Sequence, residues 1–311
     1  MANQPPEVAG LGWPGSAPWL FADWMENRSN HRVDSAAGNV DRATVKGFGE
    51  EWAAYDQSAL VGEEYRRLFD GYFRIFPFEE LPPAAEGFDL GCGSGRWAAG
   101  VAPRVAILHC IDPSDQALSV ARERLKNTDN VRFHLAAADA IPLPDGSQDF
   151  GYSLGVLHHV PDTARAMADC VRKLKSGAPF LAYLYYALDD RPPWFRAIWR
   201  ISDQARRGIA PLPFGTRKAL TTIIAALVYW PLARIAWLTE RLGRDASQIP
   251  LSAYRHSSFY TMRTDALDRF GTRLEQRFSR GEIEQLMRQA GLTDIHFSEN
   301  EPYWVAYGRR I

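Results

Sequence analysis

The sequence predicts a doubly wound α/β fold, a mostly parallel sheet of seven strands with helices on both faces. Three observations predict it. Short apolar runs alternate with helical patterns from Gly87 onward, as βαβ units require. The first run ends in a glycine-rich turn, Phe88-Asp89-Leu90-Gly91-Cys92-Gly93-Ser94-Gly95. A later run, Pro179 to Leu188, is almost continuously apolar, which suits a strand covered on both faces.

Taken in order, residues 1–44 are rich in Pro, Gly, Asn and Trp with little periodicity and read as an arm. Residues 45–188 read as the core, beginning with one or two amphipathic helices on Phe48, Trp52, Tyr55, Leu60, Tyr65, Leu68 and Phe69. Strands follow at Gly87–Leu90, Val105–Ile111, Val131–Leu135, Phe150–Leu154 and Pro179–Leu188. Helices are expected over GRWAAGVAP, over SDQALSVARERLKN capped by Ser114, and over TARAMADCVRKLKSG closing on Gly177. Residues 276–311 supply a helix opened by Ser279 and ended by Gly291, then two terminal strands.

Between them, residues 189–275 form an insertion expected to be a helical cap. It carries 14 Lys and Arg against 8 Asp and Glu, an excess of six in a chain whose net charge is −1. Its apolar run from Ala219 to Ala233 falls short of the roughly twenty residues a membrane span needs. Pro231 and the flanking Lys218 and Arg234 favour a buried cap helix, with an interfacial helix and peripheral membrane contact as the alternative.

Composition narrows the classes further. With 311 residues, 46% hydrophobic and 23% charged, the chain has the makings of one elaborated globular domain. Near-zero net charge gives no global field for nucleic acid, whose binding rests on neutralising phosphates. The first twenty residues lack a basic segment followed by an unbroken apolar one, so a cytoplasmic location is expected. Cys92, Cys110 and Cys170 have no metal-ligand spacing and read as reduced thiols, and no metal is expected. Oligomeric state is left open.

The glycine turn carries the chemistry. Glycines allow a tight bend and let a ligand lie against main-chain N–H groups at a helix N-terminus. A dinucleotide fingerprint would place a third glycine where Arg96 stands, so NAD fits poorly. Asp112, followed by Pro113, closes the next apolar run, where a carboxylate can accept the hydroxyls of a ribose.

Together, Asp89 to Gly95, Asp112, Ala138-Asp139-Ala140 and Asp149 to His159 resemble the class I S-adenosylmethionine methyltransferases. The closest type is the small-molecule branch that includes the ubiquinone and menaquinone methyltransferases, and the resemblance covers about Phe88 to Gly177. It implies that Gly91, Gly93 and Gly95 pass under the methionine part of S-adenosylmethionine, with Asp89 near its ammonium group. Asp112 would hold the ribose, Asp139 would meet the adenine amino group, and Leu154 would line the cofactor. One departure is Gly87, where the family usually carries a bulky apolar residue.

His158 and His159 follow the fourth strand, where the site should open, and an imidazole titrates in the range a general base needs. The resemblance favours a base among these two; capping or packing roles are the alternative. A partnering carboxylate at the end of the fifth strand is absent, since Tyr183, Leu184, Tyr185 and Tyr186 stand there. Trp52 and Tyr55 could close over the cofactor or simply pack.

Lying over the carboxyl ends of the strands, the insertion is expected to shape the acceptor pocket. Trp194, Trp199, Tyr229, Trp230, Trp237, Tyr254 and Tyr260 would line it. The expected acceptor is a largely apolar small molecule with an anionic end, prenylated, lipid-like or polyketide-like, methylated on oxygen or carbon. A tRNA or protein methyltransferase, and a non-catalytic cofactor- or partner-binding protein, are the competing readings.

Overall fold

A computed structural model describes residues 38–188 and 192–311. The expected arm therefore lies, up to residue 37, outside the described residues, as does the junction at 189–191. The strands are β1 (Glu86–Leu90), β2 (Ile107–Asp112), β3 (Val131–Leu135), β4 (Phe150–Leu154), β5 (Pro179–Tyr183), β6 (Leu292–Phe297) and β7 (Val305–Arg310). They form one seven-stranded sheet in the order β3-β2-β1-β4-β5-β7-β6, with only β7 running antiparallel to its neighbours among the described residues. The order reverses between β1 and β4, and ligands of open α/β sheets bind outside the carboxyl ends of the strands at such a point.

The front helices are α1 (Arg42–Ala54), capped by Asp41, and α2 (Gly62–Phe73). Next come the single turn α3 (Ala98–Val101), α4 (Asp115–Arg124), capped by Ser114, and α5 (Thr163–Lys173), capped by Asp162. The cap contains α6 (Pro193–Ile209), α7 (Phe214–Ile224), α8 (Trp230–Arg241) and α9 (Phe259–Gly271). The terminal helix α10 (Arg280–Gln289) opens on Ser279 with a reciprocal capping box to Glu282.

Gly87 has a physical reason. A Cβ there would stand 2.3–2.5 Å from the ring of Phe150, its cross-strand partner. One position along, a Cβ on Gly151 would strike the Phe88 ring in the same way. The two strands thus exchange a phenylalanine for a glycine on opposite faces, and each ring belongs to a different core cluster. The bulk missing at Gly87 is supplied by Phe150.

Besides shifts of two or three residues at β2 and at the end of α4, three boundaries differ from expectation. The helix over 95–103 shrinks to α3 and a 3₁₀ turn at Ala102–Arg104, because Pro103 has no N–H to continue the ladder. Helix α5 ends at Lys173, and Gly177, at φ 78°, instead makes the turn into β5. Strand β5 stops at Tyr183 rather than Leu188, since residues 185–187 leave the sheet to pair with the returning chain at Phe278.

The apolar run in the cap is part of one continuous 28-residue helix, Phe214–Arg241. A π turn at Ala225–Tyr229 interrupts it just before Pro231, whose missing N–H and ring are incompatible with a regular ladder to Leu227. One face, carrying Ala225, Tyr229 and Ala233, packs against Met262, Ala266 and Phe270 of α9. The expectation of a buried helix is corrected here: Leu220, Ile223, Leu227, Trp230, Ile235 and Leu238 are exposed. Among the described residues, the covered side of the helix meets α9 and the turn at Ser252–His256.

Candidate active site

The turn after β1 is held by backbone bonds before any side chain contributes. The N–H groups of Gly91 and Cys92 both donate to the Ile111 carbonyl, at 2.7 and 3.2 Å. The Gly93 N–H donates to Asp112 Oδ2 at 2.9 Å, and the Ser114 N–H donates to Oδ1 at 2.8 Å. Gly91, Gly93 and Gly95 have φ of 76°, 54° and 71°, in the region other residues avoid. At Gly91 a Cβ would also enter the Val156 side chain. Asp112 therefore ties the β1 turn to the β2 tip, and burial pushes its carboxyl up to about 6 against those two bonds.

One segment, residues 38–52, reaches the expected cofactor site at Asp139, beside Asp112 and at Gly93. The Asn39 N–H donates to Asp139 Oδ2 at 2.6 Å, at the residue expected to meet adenine. Asn39 is fastened in turn by two bonds to the backbone of Asp162. Further along, α1 lies over α4, where Gly49 leaves room for Ser114 beside Asp112. Trp52 then rests on Gly93. Pro113 is half-buried in the turn after Asp112. Ala138, Asp139 and Ala140 form a 3₁₀ turn with Ala138 buried, and Leu154 ends β4.

Asp89 lies beneath this turn, 2% exposed. Burial pushes its carboxyl up to about 8, the neighbouring Tyr152 hydroxyl offsetting part of that and Asp112 adding to it. Its Oδ2 has no hydrogen-bond partner. A buried carboxylate oxygen left without a donor below a glycine cradle fits an α-ammonium group, the role expected for it.

A polar chamber lies between the sheet tips and the cap. Tyr72, Tyr183, Tyr185, Tyr254, Asp265 and Asp268 each keep part of their surface open although they lie under the cap. The Tyr185 hydroxyl donates to Asp268 Oδ2 at 2.7 Å, and Tyr254 bonds Asp265. Glu51 of α1 adds a buried carboxyl held well above its ordinary range by burial and by the Asp268 and Asp265 charges. Against these, the Arg96 guanidinium stacks on Trp97 at 4.4 Å and on Trp52 at 5.5 Å.

The two candidate bases differ in their surroundings. His159 Nδ1 meets the Leu274 carbonyl at 2.7 Å, which makes it the protonated nitrogen and leaves the Nε2 lone pair without a partner. Burial lowers its pKa, while Asp268 and the Leu274 bond oppose that. His158 is wholly buried between His159 and Tyr185, with ring centroids 4.0 and 3.9 Å away and no partner at either nitrogen. Burial first, then His159 and Arg277, hold it well below the usual imidazole range. The carbonyl of Leu274 thus supplies the orientation that a carboxylate after β5 would have given.

Asp265, Asp268, Glu51, Arg96 and Tyr72 were not among the residues singled out from sequence. The available signal was Asp265 and Asp268, three apart on the α9 face that also carries buried Met262 and Ala266. Of the expected aromatic lining, Tyr254 reaches the chamber. Trp194 and Trp230 are instead 47% and 40% exposed, Trp230 resting edge-on against Phe259 at the start of α9.

The cap's positive excess also lies elsewhere than expected. Within the cap Arg206 pairs with Asp203 at 2.8 Å and Arg269 with Glu275 at 3.1 Å, and Arg277 of the terminal segment joins Glu275 at 2.8 Å. Within the chamber the carboxyl groups predominate.

Fold and turn together define an open α/β protein with a site for a nucleoside-bearing, amino-acid-like ligand at the β1–β4 switch point. Residues 88–182 match the family model described as Methyltransferase domain. This part of the chain is a class I methyltransferase domain, whose cofactor is S-adenosylmethionine.

The chain is 31% identical over 181 residues to the 27-O-demethylrifamycin SV methyltransferase of Amycolatopsis mediterranei, covering 57% of this chain and 58% of that one. It is 37% identical over 147 residues to the ubiquinone biosynthesis O-methyltransferase of Thiobacillus denitrificans, covering 45% and 61%. Over 104 residues it is 32% identical to the uncharacterized methyltransferase YcgJ of Bacillus subtilis, covering 33% and 41%. The chain thus spans between 41% and 61% of the length of these relatives.

Proposed function

We propose that this chain transfers a methyl group from S-adenosylmethionine to a hydroxyl oxygen of a small, largely apolar molecule bound in the chamber beneath the cap. The observation that carries the reading is the His159 imidazole, held by its Nδ1–H on the Leu274 carbonyl with Nε2 left as a lone-pair acceptor. Two relatives whose names specify oxygen methylation add support.

Bound S-adenosylmethionine would supply an electrophilic methyl on a sulfonium. The residues here have three tasks: the glycine turn and Asp89 hold the amino-acid end, Tyr72, Tyr183 and Tyr254 orient the acceptor, and His159 Nε2 takes the hydroxyl proton. The acceptor oxygen gains its bond to carbon as the carbon–sulfur bond breaks, leaving S-adenosylhomocysteine and a protonated imidazole that returns its proton to solvent. Alignment and proton removal are the whole requirement of such an in-line displacement. The closed pairs of Arg206, Arg269 and Arg277 favour a neutral acceptor over the anionic one suggested by charge counting.

One observation favours a second acceptor class. Glu51, Asp265 and Asp268 converge where Arg96 acts on both Glu51 and Asp265, and Arg217, which also acts on Glu51, is already paired with Glu50. A cationic amine would suit that arrangement.

A panel of phenols, quinols, polyketide-like alcohols and amines, read by S-adenosylhomocysteine release, tests both. Turnover of hydroxyl acceptors that collapses in His159→Ala, with cofactor binding kept, supports the first reading. Turnover of amines alone replaces it with the second. Cofactor binding without turnover of any acceptor would favour the non-catalytic reading.

A further inference from the structure

Beyond catalysis, we propose that the outer face of the cap docks onto an anionic lipid bilayer, with the helix Phe214–Arg241 lying in the plane of the interface. From Leu220 to Leu238 the outward side of this helix carries Leu220, Ile223, Leu227, Val228, Trp230, Ile235 and Leu238, with no exposed charge among the residues between. Leu227 is 72% exposed. Apart from Val228, which adjoins Leu227, these positions recur at steps of three to five residues, so they form one ridge roughly 27 Å long. On α6, Trp194, Ile198 and Ile201 are exposed as well.

Seven large apolar side chains exposed along one helix face are the kind of surface that marks a protein or membrane contact. The opposite side of the helix is committed to α9 through Ala225, Tyr229 and Ala233, so the helix is held flat on the protein and cannot cross a membrane while the cap is folded. Flat, one-sided burial with tryptophan at the boundary is the arrangement of an interfacial helix.

Charge selects the occupant. In residues 192–246 the exposed charged groups are Arg196, Arg200, Arg207, Arg241 and Arg244 against Glu240 and Asp245. Glu240 is already taken by Arg255 and His256 and Arg207 by Asp203, which leaves Arg196, Arg200, Arg241 and Arg244 against Asp245. A second copy placed face to face would confront these arginines with one another, whereas anionic headgroups complement them. Docking there would also set the chamber close to apolar acceptors dissolved in the bilayer.

The test is co-sedimentation of the full chain with vesicles of phosphatidylcholine alone and with about one part in three phosphatidylglycerol, at low and high salt. The expected result is binding to the anionic vesicles that weakens with salt, and that falls by at least about tenfold in the Ile223→Glu, Leu227→Glu double variant. Arg196→Gln with Arg200→Gln should lower only the anionic preference. Unchanged S-adenosylmethionine binding by both variants establishes that they are folded. No binding by the wild type, or equal binding by the Glu variant, overturns the proposal. So does a wild-type dimer that the Glu variant converts to monomer without lipid, since the face would then belong to a second copy.

Discussion

Trp52 rests on Gly93 so closely that a Cβ on the glycine would stand 2.9 Å from the indole Nε1. The contact joins α1 to the turn after β1, and it places the side chain of a front helix over the position expected for the methionine end of the cofactor.

The first prediction follows from that contact. Gly93→Val adds bulk against Trp52 and forces a branched side chain to a φ of 54°, so cofactor binding should be lost while the fold is kept. Trp52→Ala should instead retain binding but release the cofactor faster. Calorimetry and stopped-flow dissociation check the pair; unaltered affinity in Gly93→Val would remove the turn from the site.

Asp89 gives a pH prediction. With its carboxyl at about 8, the free protein holds this group mostly protonated at pH 7. An ammonium group placed beside it favours the carboxylate, so cofactor binding at pH 7 should release close to one proton (about 0.9) and tighten as pH rises toward 8. Calorimetry in buffers of different ionisation enthalpy measures the release. Asp89→Asn should abolish it, and a binding enthalpy independent of buffer in the wild type would contradict the assignment.

The histidines should separate kinetically. His159→Ala removes the oriented Nε2 and should cut kcat by about 10²–10⁴-fold with little change in cofactor affinity. His158, with no partner at either nitrogen, should act through packing, so His158→Asn should cost stability and affect kcat less. Equal kcat losses in the two variants at equal stability would refute this division.

Glu275 anchors the cap to the core through Arg269 and Arg277, its side chain only 2% exposed. Burial works against its charge, but Arg277, Arg269 and Arg206 outweigh it and hold the folded carboxyl below the ordinary range. A depressed folded pKa contributes stability above the unfolded value near 4.3, lost as pH falls through the folded value. Glu275→Gln should therefore destabilise by about 3–5 kcal/mol at neutral pH, and the difference should narrow below about pH 4. Urea unfolding across that range is the check, and a constant difference would argue against the pairing.

The sequence by itself determined the strand–helix alternation, the caps at Ser114 and Ser279 and the glycine turn, because each depends on interactions within a few residues. Strands β3 and β4 fall on their expected residues for the same reason. The extent of β5 was not legible, since Tyr185 and Ala187 choose Phe278 over the sheet, a partner some ninety residues away. Nor could counting charges show that Arg206 and Arg269 would turn to Asp203 and Glu275, leaving Asp265, Asp268 and Glu51 under the cap while other cap arginines face outward. Only the tertiary structure decided which face of the long apolar helix meets α9 and which meets the surroundings, because periodicity describes a face but not what covers it.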